Sequence, residues 1–268
     1  MKILIFGAAG FIGSHLSRSA AAAGHEVGAF CRSGRVPGFD GRCHAWSFGG
    51  VVAQATVQGA DCALHLAHDF EGEQGAGTTL TGTLSTIQTL RQAGVRRQLL
   101  YSSYSAGPHA SSLYGRTKSA IEAEVSQMSD VIVIRPGLVL GDGGIYGRIC
   151  TFVRLSPVVP LPDGGVGKVP VIEISKLCLQ TLRIAAAAGT TKEHNLFEPD
   201  LVSLRDIVQG AAREAGRAVW IIPVPASLVL LGLRTTAALH LPLPVNADNL
   251  SGFLANQGAV HASTMVED

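Results

Sequence analysis

The sequence has little charge and almost no charge imbalance. Lys and Arg together number 21 and Asp and Glu number 20, so the net charge is +1, and charged residues make up only 15% of the 268 positions. Without excess positive charge, the chain lacks the electrostatic term that drives broad binding to nucleic acids or anionic membranes. With 47% hydrophobic residues, disorder is also disfavoured. We expect one large α/β domain, or a domain with a small appendage, that binds neither nucleic acid nor a membrane.

Cysteine and histidine motifs are missing as well. The five cysteines form no Cys-x-x-Cys pair, and the nine histidines form no His-x-x-x-His or His-Glu-x-x-His pattern. Scattered cysteines in odd number are typical of free thiols in a reducing compartment. The sequence therefore predicts a cytoplasmic protein without a metal site.

The sequence also lacks an apolar run long enough for a membrane helix. Residues 226–241 fall short of the ~20 that a span needs and include Arg234 and His240, so they are interpreted as a buried or pocket-lining helix. The N-terminus, with Lys2, an apolar run and alanines at 20–23, has some features of a signal peptide. Glycines interrupt that run at positions 7, 10 and 13, which favours a strand, a glycine turn and a helix instead.

Short apolar runs alternate with helical periods through residue 134. Strands are predicted at 2–6, 26–30, 44–48, 61–67, 98–102 and 131–134, and helices at 13–23, 79–93 and 112–128. This alternation predicts an α/β Rossmann fold, a doubly wound parallel sheet with helices on both faces. Residues 1–140 are assigned to a dinucleotide-binding region. Residues 141–268 are assigned to a small, loop-rich, mainly substrate-binding part, with about 171–200 returning to the Rossmann core.

A glycine turn follows the first strand, in Gly7-Ala8-Ala9-Gly10-Phe11-Ile12-Gly13. The first glycine permits a sharp turn, the second lets a pyrophosphate approach the backbone, and the third lets the helix pack closely on the strand. The helix N-terminus then offers N–H groups and a positive dipole end to phosphates. Although the spacing is GxxGxxG and not the commoner GxGxxG, its place between a strand and a helix predicts a dinucleotide site. The expected contacts are Gly7, Gly10, Phe11, Ile12 and Gly13.

The end of the second strand favours NADP over NAD. An NAD site usually has Asp or Glu there to accept from the ribose hydroxyls. This chain has Cys31 followed by Arg32 and Ser33, and Glu26 lies at the strand's beginning. A guanidinium and a hydroxyl suit a 2′-phosphate, so Arg32 and Ser33 are predicted to bind it. Arg35 is a second candidate for the same role, and a merely solvated Arg32 is the alternative interpretation.

A serine, a tyrosine and a lysine follow in order. The fifth strand ends in Ser102-Ser103, and Tyr114 and Lys118 are four residues apart, on one face of a helix. An ammonium near a phenol favours the phenolate and lowers the pKa of the tyrosine from ~10 toward neutrality. Such a tyrosine can exchange a proton with a carbonyl or alcohol, and a serine hydroxyl at the strand end can hold the same oxygen. Alternatively, Tyr114 only packs and Lys118 only holds the cofactor ribose.

Together these motifs resemble the short-chain dehydrogenase/reductase superfamily, and within it the extended and atypical NAD(P)-dependent epimerase/dehydratase branch. The resemblance continues through the segments 65–67, 82–83 and 135–141 and covers nearly the whole chain. It implies that Ser103, Tyr114 and Lys118 are catalytic, with Ser103 favoured over Ser102. It also implies cofactor contacts from Leu66, Ala67, Tyr114, Lys118, Pro136, Gly137 and Val139.

Two classes of function fit this set. The first is an NADP-dependent oxidoreductase or epimerase/dehydratase, a monomer or homodimer acting on a carbonyl or alcohol of a small molecule, with hydride transfer by the nicotinamide. The second is a non-catalytic NAD(P)-binding sensor or assembly protein. The Ser, Tyr and Lys set favours the first. The second is favoured by Thr79, where many relatives have asparagine, and by the absence of the family's His-Asp pair at 171–175.

The substrate pocket is predicted from segments that are mostly small, apolar or glycine-rich: residues 68–75, 105–112, 141–168 and 223–244. The short interval between Ser103 and Tyr114 leaves no room for a long substrate-binding insertion, which lowers the expectation of a bulky nucleotide-sugar substrate.

Overall fold

The structure, a computed structural model, describes residues 1–187, 189, 191–238, 247–255 and 261–265. The strands are β1 (Lys2–Phe6), β2 (Glu26–Cys31), β3 (Arg42–Ala45), β4 (Cys62–His65), β5 (Gln98–Tyr101), β6 (Val131–Pro136), β7 (Leu138–Leu140), β8 (Val158–Pro162), β9 (Lys168–Val169), β10 (Val171–Glu173), β11 (Glu193–Leu196), β12 (Val202–Ser203) and β13 (Trp220–Val224). The helices are α1 (Phe11–Ala22), α2 (Gln54–Val57), α3 (Gly72–Gln92), α4 (Leu113–Val125), α5 (Gly144–Leu155), α6 (Ile174–Ala186), α7 (Leu204–Glu214), α8 (Ala226–Ala238) and α9 (Ala247–Ala255).

A seven-stranded sheet organises the chain, in the order β11-β6-β5-β4-β1-β2-β3. Its neighbouring strands all pair in parallel, with Ile5 opposite Ala29 of β2 on one side and Leu64 of β4 on the other. The order reverses beside β1, which makes the sheet doubly wound. The predicted α/β Rossmann class is confirmed.

Helices cover both faces of this sheet, so side chains on both faces of its central strands are buried. This explains why these strand sequences are continuous apolar runs. Because side chains alternate along a strand, Ile3 and Ile5 belong to one buried cluster while Leu4 and Phe6 belong to another. The cluster around Ile3 includes residues of α1 and α6, and α3 and α4 pack on the opposite face.

The later part of the chain forms a second group of elements beside the sheet. Three pairs of short strands, β7·β10, β8·β13 and β9·β12, lie near α5 and α7, which pack on each other. Their shared core includes Ile149, Val153 and Val208. The chain also returns to the main sheet, because α6 packs on α1 and β11 pairs with β6. The division at residue 140 into two functional regions stays a prediction.

Several element boundaries differ from the prediction, among them those of β3 and α3. Strand β3 covers Arg42–Ala45 and not 44–48, and α3 begins at Gly72 and not at Thr79. The first two turns of α3 contain glycines at 72, 75 and 77, which are poor helix formers. Helix propensity therefore did not predict these two turns. Packing explains why position 75 is a glycine, because a Cβ there would lie 2.8 Å from the carbonyl oxygen of Asp69.

Among the described residues, no helix has both the length and the apolar character that a bilayer span requires. The predicted helix at 226–241 forms α8 over Ala226–Ala238, and 239–241 lie outside the described residues.

Candidate cofactor and substrate site

A cavity of about 1060 Å³ opens at the carboxyl ends of the parallel strands. Strands β1, β2, β4, β5 and β6 all end at its wall, and ligands of doubly wound sheets bind at this edge. The cavity brings together all the predicted site residues except Arg35: Gly7, Gly10, Phe11, Ile12, Gly13, Arg32, Ser33, Leu66, Ala67, Ser103, Tyr114, Lys118, Pro136, Gly137 and Val139.

The glycine turn has a separate structural reason at each of its three positions. Gly7 has a φ of +90°, and a Cβ there would lie 2.6 Å from the backbone nitrogen of Ala67. A Cβ on Gly13 would lie 2.3 Å from the carbonyl oxygen of Gly7, which is why the helix can approach the strand. At Gly10, a Cβ would meet only the Gly7 oxygen, at 3.2 Å, and would otherwise extend into open space. Gly10 is thus the position at which a phosphate can come closest to the backbone.

The N-terminus of α1 points its free donors at the same place. Gly10 is the N-cap and has no side chain to cap the helix, and the first turn contains no acidic residue. A glycine-rich loop covers this turn from the other side, since a Cβ on Gly143 would lie 2.4 Å from the Phe11 ring. The turn therefore lies at the positive end of the helix dipole, offers helix N–H groups and is partly shielded from solvent by this loop. These features favour phosphate binding.

The end of β2 presents a cation and no carboxylate. Arg32 and Ser33 are exposed and line the cavity, whereas Arg35 does not line it. The Ser33 hydroxyl donates to the carbonyl oxygen of Arg35 at 2.9 Å and so shapes the loop. Glu26 lies at the far end of the strand, 3.6 Å from Arg42. Of the two arginines that the sequence left open, Arg32 lies at the cavity and Arg35 does not.

Lys118 is almost fully buried in the cavity wall, with 3% of its surface exposed. Its Nζ donates to the carbonyl oxygen of Tyr101 at 2.7 Å and lies 5.7 Å from the centroid of the Tyr114 ring. Burial lowers the pKa of Lys118 to about 8, against the opposing effect of the Glu122 carboxylate. The ammonium is therefore held at the end of β5, on the same wall as Tyr114.

The expected lowering of the Tyr114 pKa is wrong for this structure. Burial raises the pKa of Tyr114 to about 12, because removing a phenolate from water is costly. The Lys118 ammonium does not offset this cost, since it bonds to the Tyr101 carbonyl and faces the ring of Tyr114. At neutral pH Tyr114 is a phenol that can donate a proton.

The serines at the end of β5 also lie at the cavity. The Ser103 hydroxyl is 2.8 Å from that of Ser105 and accepts from the Ser105 backbone N–H. The Ser102 hydroxyl is buried and has no hydrogen-bond partner among the described residues. Either hydroxyl lies on the wall that Tyr114 and Lys118 share.

Sequence reasoning missed His68 as an individual site residue. Its ring is 4.7 Å from the Tyr114 ring in an edge-to-face arrangement, and its buried Nδ1 has no partner among the described residues. Burial, with a smaller effect of Lys118, lowers the pKa of His68 to about 3, so its imidazole is neutral. The signal was available, because His68 directly follows the strand-end segment that ends at Ala67.

The predicted pocket segments contribute unevenly. Residues 68–70, Ser105, parts of 144–162 and two residues of α8 line the cavity, whereas 71–75 and 106–112 do not. Thr79, at the position of the family's asparagine, is fully buried and its hydroxyl accepts from the Asp69 N–H at 2.9 Å. It therefore supports the loop beside His68. In the described part of the chain, no group of three or more His, Cys, Asp or Glu is placed to hold a metal ion.

Comparisons with known proteins agree with this architecture. Residues 3–153 match the NAD dependent epimerase/dehydratase family. Among solved structures, the chain is similar to MoeE5 in complex with UDP-glucose and NAD, with a TM-score of 0.69, 18% identity and coverage of 95% of this chain and 98% of that one. It is also similar to the UDP-glucose 4-epimerase of Thermotoga maritima, with a TM-score of 0.72, 18% identity and coverage of 84% and 86%. A third is TunA, an NAD-dependent NDP-hexosamine 5,6-dehydratase, with a TM-score of 0.67, 18% identity and coverage of 96% of each chain.

The family match extends over more than half of the chain, and this protein belongs to the NAD dependent epimerase/dehydratase family. The resemblance inferred from the motifs is confirmed, and with it the class of function, a nicotinamide-dependent oxidoreductase or epimerase/dehydratase. At 18% identity, the solved structures establish the shared fold. No curated protein matches the chain in sequence.

Proposed function

We propose that this protein uses NADP(H) to act on a carbonyl or alcohol of a small molecule, with Tyr114 as the proton donor and acceptor. One observation supports this most strongly. The Tyr114 phenol, the Lys118 ammonium and the Ser103 hydroxyl line one wall of a cavity that also contains the glycine turn. This arrangement can hold a cofactor and a reacting oxygen side by side.

Each side chain has a separate task in this proposal. The Tyr114 hydroxyl gives its proton to the substrate oxygen as a carbonyl is reduced, and takes a proton back in the reverse direction. Its pKa of about 12 keeps that proton in place at neutral pH. The Ser103 hydroxyl donates to the same oxygen, and Lys118 holds the cofactor ribose. A bound nicotinamide supplies or accepts the hydride.

The substitution Tyr114→Phe tests this assignment. General acid–base catalysis contributes about 10²- to 10⁴-fold, so we expect a loss of that size in kcat with any carbonyl that the wild type reduces, and nearly unchanged NADPH binding. Tyr146→Phe is the control, because Tyr146 is buried in α5 but does not line the cavity. Wild-type turnover by Tyr114→Phe would refute the role. NADPH binding without turnover of any carbonyl or alcohol by the wild type would favour the non-catalytic sensor.

Arg32 supports the choice of NADP. MoeE5 is in complex with NAD and TunA is NAD-dependent, but at the end of β2 this chain has an exposed guanidinium in the cavity and no carboxylate. A hydrogen bond to a charged group contributes about 1.5–3 kcal/mol, so Arg32→Ala should weaken NADPH binding by about tenfold or more and leave NADH binding unchanged. Arg35→Ala is the matched control. Equal losses for both cofactors would show that Arg32 does not read the 2′-phosphate.

The remaining parts of the proposal are a small-molecule substrate, a monomeric or homodimeric state and a cytoplasmic location. Gel filtration of the purified chain with light scattering tests the oligomeric state, and a higher oligomer would contradict it.

A further inference from the structure

The cavity changes character beyond the Ser, Tyr and Lys wall. Among the described lining residues that follow Gly137, Arg148 has the only side chain with a polar group. The others are aliphatic residues, phenylalanines, prolines and glycines, and Phe152, Leu161 and Val208 are among them.

Helices α5, α7, α8 and α9 all contribute to this apolar part, α9 through Leu250 and Phe253. Helix α5 contributes Ile145, Arg148, Ile149 and Phe152, whose spacing of 3, 1 and 3 residues places them on one helix face. Helix α7 adds Leu204 and Val208, and α8 adds Val229 and Leu233. Both pairs are four residues apart, so each also shares one face. The apolar lining is therefore continuous across helices that meet from different directions.

Arg148 is the one charged side chain among the described lining residues after Gly137. It is exposed, and it makes no hydrogen bond or ion pair with a described residue. Since Phe152 lies one helical turn further along α5, the guanidinium lies beside the apolar lining. One anionic group could be paired there.

These walls fit a nucleotide sugar poorly. A sugar diphosphate carries two negative charges and many hydroxyls, and each polar group moved from water to an apolar wall needs a partner. Among the described lining residues after Gly137, only Arg148 offers a polar side chain for that purpose. An aliphatic or aromatic body, by contrast, gains from every apolar atom that it buries.

We propose that the substrate is a ketone or secondary alcohol with an extended apolar body and a single acidic group, which pairs with Arg148. The proposal rests on the proposed function for the chemistry at Tyr114. In the direction of reduction, a bound NADPH would supply the hydride for the new C–H bond and become NADP⁺, the carbonyl oxygen would take the Tyr114 proton to give the alcohol, and water would return a proton to the Tyr114 phenolate.

Binding, which does not depend on turnover, gives the test. Octanoate, butyrate, 1-octanol and UDP-glucose are titrated calorimetrically into the wild-type protein, with and without saturating NADP⁺. Each buried methylene is worth up to about fourfold in affinity, so octanoate should bind at least about tenfold more tightly than butyrate. UDP-glucose should bind more weakly than octanoate.

Matched variants locate the site. Phe152→Ser should weaken octanoate binding, while Leu155→Ser, at an exposed position on the same helix, should not. Val229→Ser and its exposed neighbour Leu228→Ser repeat the comparison on α8, in case Phe152→Ser does not fold. The wild type should bind octanoate more tightly than 1-octanol, because only octanoate can pair with Arg148. Arg148→Ala should remove this preference, and Arg154→Ala should leave it intact.

Equal binding of butyrate and octanoate, or tighter binding of UDP-glucose, would overturn the proposed apolar body. An unchanged preference in Arg148→Ala would overturn the acidic group. These failures are distinct from failure of the proposed function, which would appear as absent cofactor binding or as full activity of Tyr114→Phe. The titrations without NADP⁺ remain interpretable in either case.

Discussion

Replacing Gly10 with alanine should separate cofactor binding from folding. Gly10 has a φ of −69°, which alanine adopts readily, and the added methyl would meet only the Gly7 oxygen, at 3.2 Å. The fold therefore has to adjust by a few tenths of an ångström at most. Since alanine is a poorer N-cap than glycine, we expect a loss of roughly 1 kcal/mol in the free energy of unfolding.

The effect on binding should be much larger. The methyl projects from the turn into the space where the pyrophosphate is expected, so it displaces the phosphates from the α1 N–H donors. Losing one hydrogen bond to a charged group costs about 1.5–3 kcal/mol, which is about a 10- to 150-fold increase in the Kd of NADPH. Gly13→Ala should behave differently. Its Cβ would lie 2.3 Å from the Gly7 oxygen, and the fold itself should be destabilised.

Two measurements on each variant are sufficient: NADPH fluorescence on titration with protein, and thermal unfolding without cofactor. Gly210→Ala in α7 is the control, because a Cβ there meets no atom within 4 Å. A Gly10→Ala protein that melts near the wild-type temperature and binds NADPH with wild-type affinity would refute the reasoning. In that case the glycine turn would not be the phosphate site.

Two further predictions concern the wall that carries Tyr114. Arg135 is nearly buried, donates to both oxygens of Glu122 on α4, at 2.9 and 2.6 Å, and pairs with Glu193 of β11 at 2.8 Å. Arg135→Met should lower the free energy of unfolding by about 3 kcal/mol in urea denaturation, because Glu122 would keep a poorly solvated charge, and no loss would contradict this. The pKa of Lys118 is lowered to about 8 by burial, so the ammonium is lost as pH rises through that value. NADPH affinity should therefore fall as pH rises through about 8 in the wild type and stay level in Lys118→Met. Parallel pH profiles for the two proteins would contradict this role of Lys118.

The sequence alone was enough to place the predicted cofactor residues at one edge of the sheet, because their placement depends on local signals. Gly7, Arg32, Leu66, Ser102 and Gly137 each directly follow a strand. The carboxyl ends of parallel strands meet at one edge, so recognising the apolar runs was enough to bring these positions together.

The rest of the site depends on tertiary packing that no local pattern encodes. Lining residues from α7 and α9, such as Leu204, Val208 and Leu250, come from segments that were not predicted to face the pocket. The pKa of Tyr114 was predicted in the wrong direction, because the i, i+4 spacing indicates that Lys118 shares its helix face but not where the ammonium points. The ammonium of Lys118 is oriented by its hydrogen bond to the Tyr101 carbonyl, which lies on β5 and not on α4.

Titration of the wild-type protein with NADPH and NADH tests the central claim most directly. The glycine turn and Arg32 predict one NADPH bound per chain, with a Kd at least about tenfold lower than that of NADH. Equal affinities would contradict the role of Arg32. Failure of both cofactors to bind the folded protein would contradict the assignment of the cavity itself.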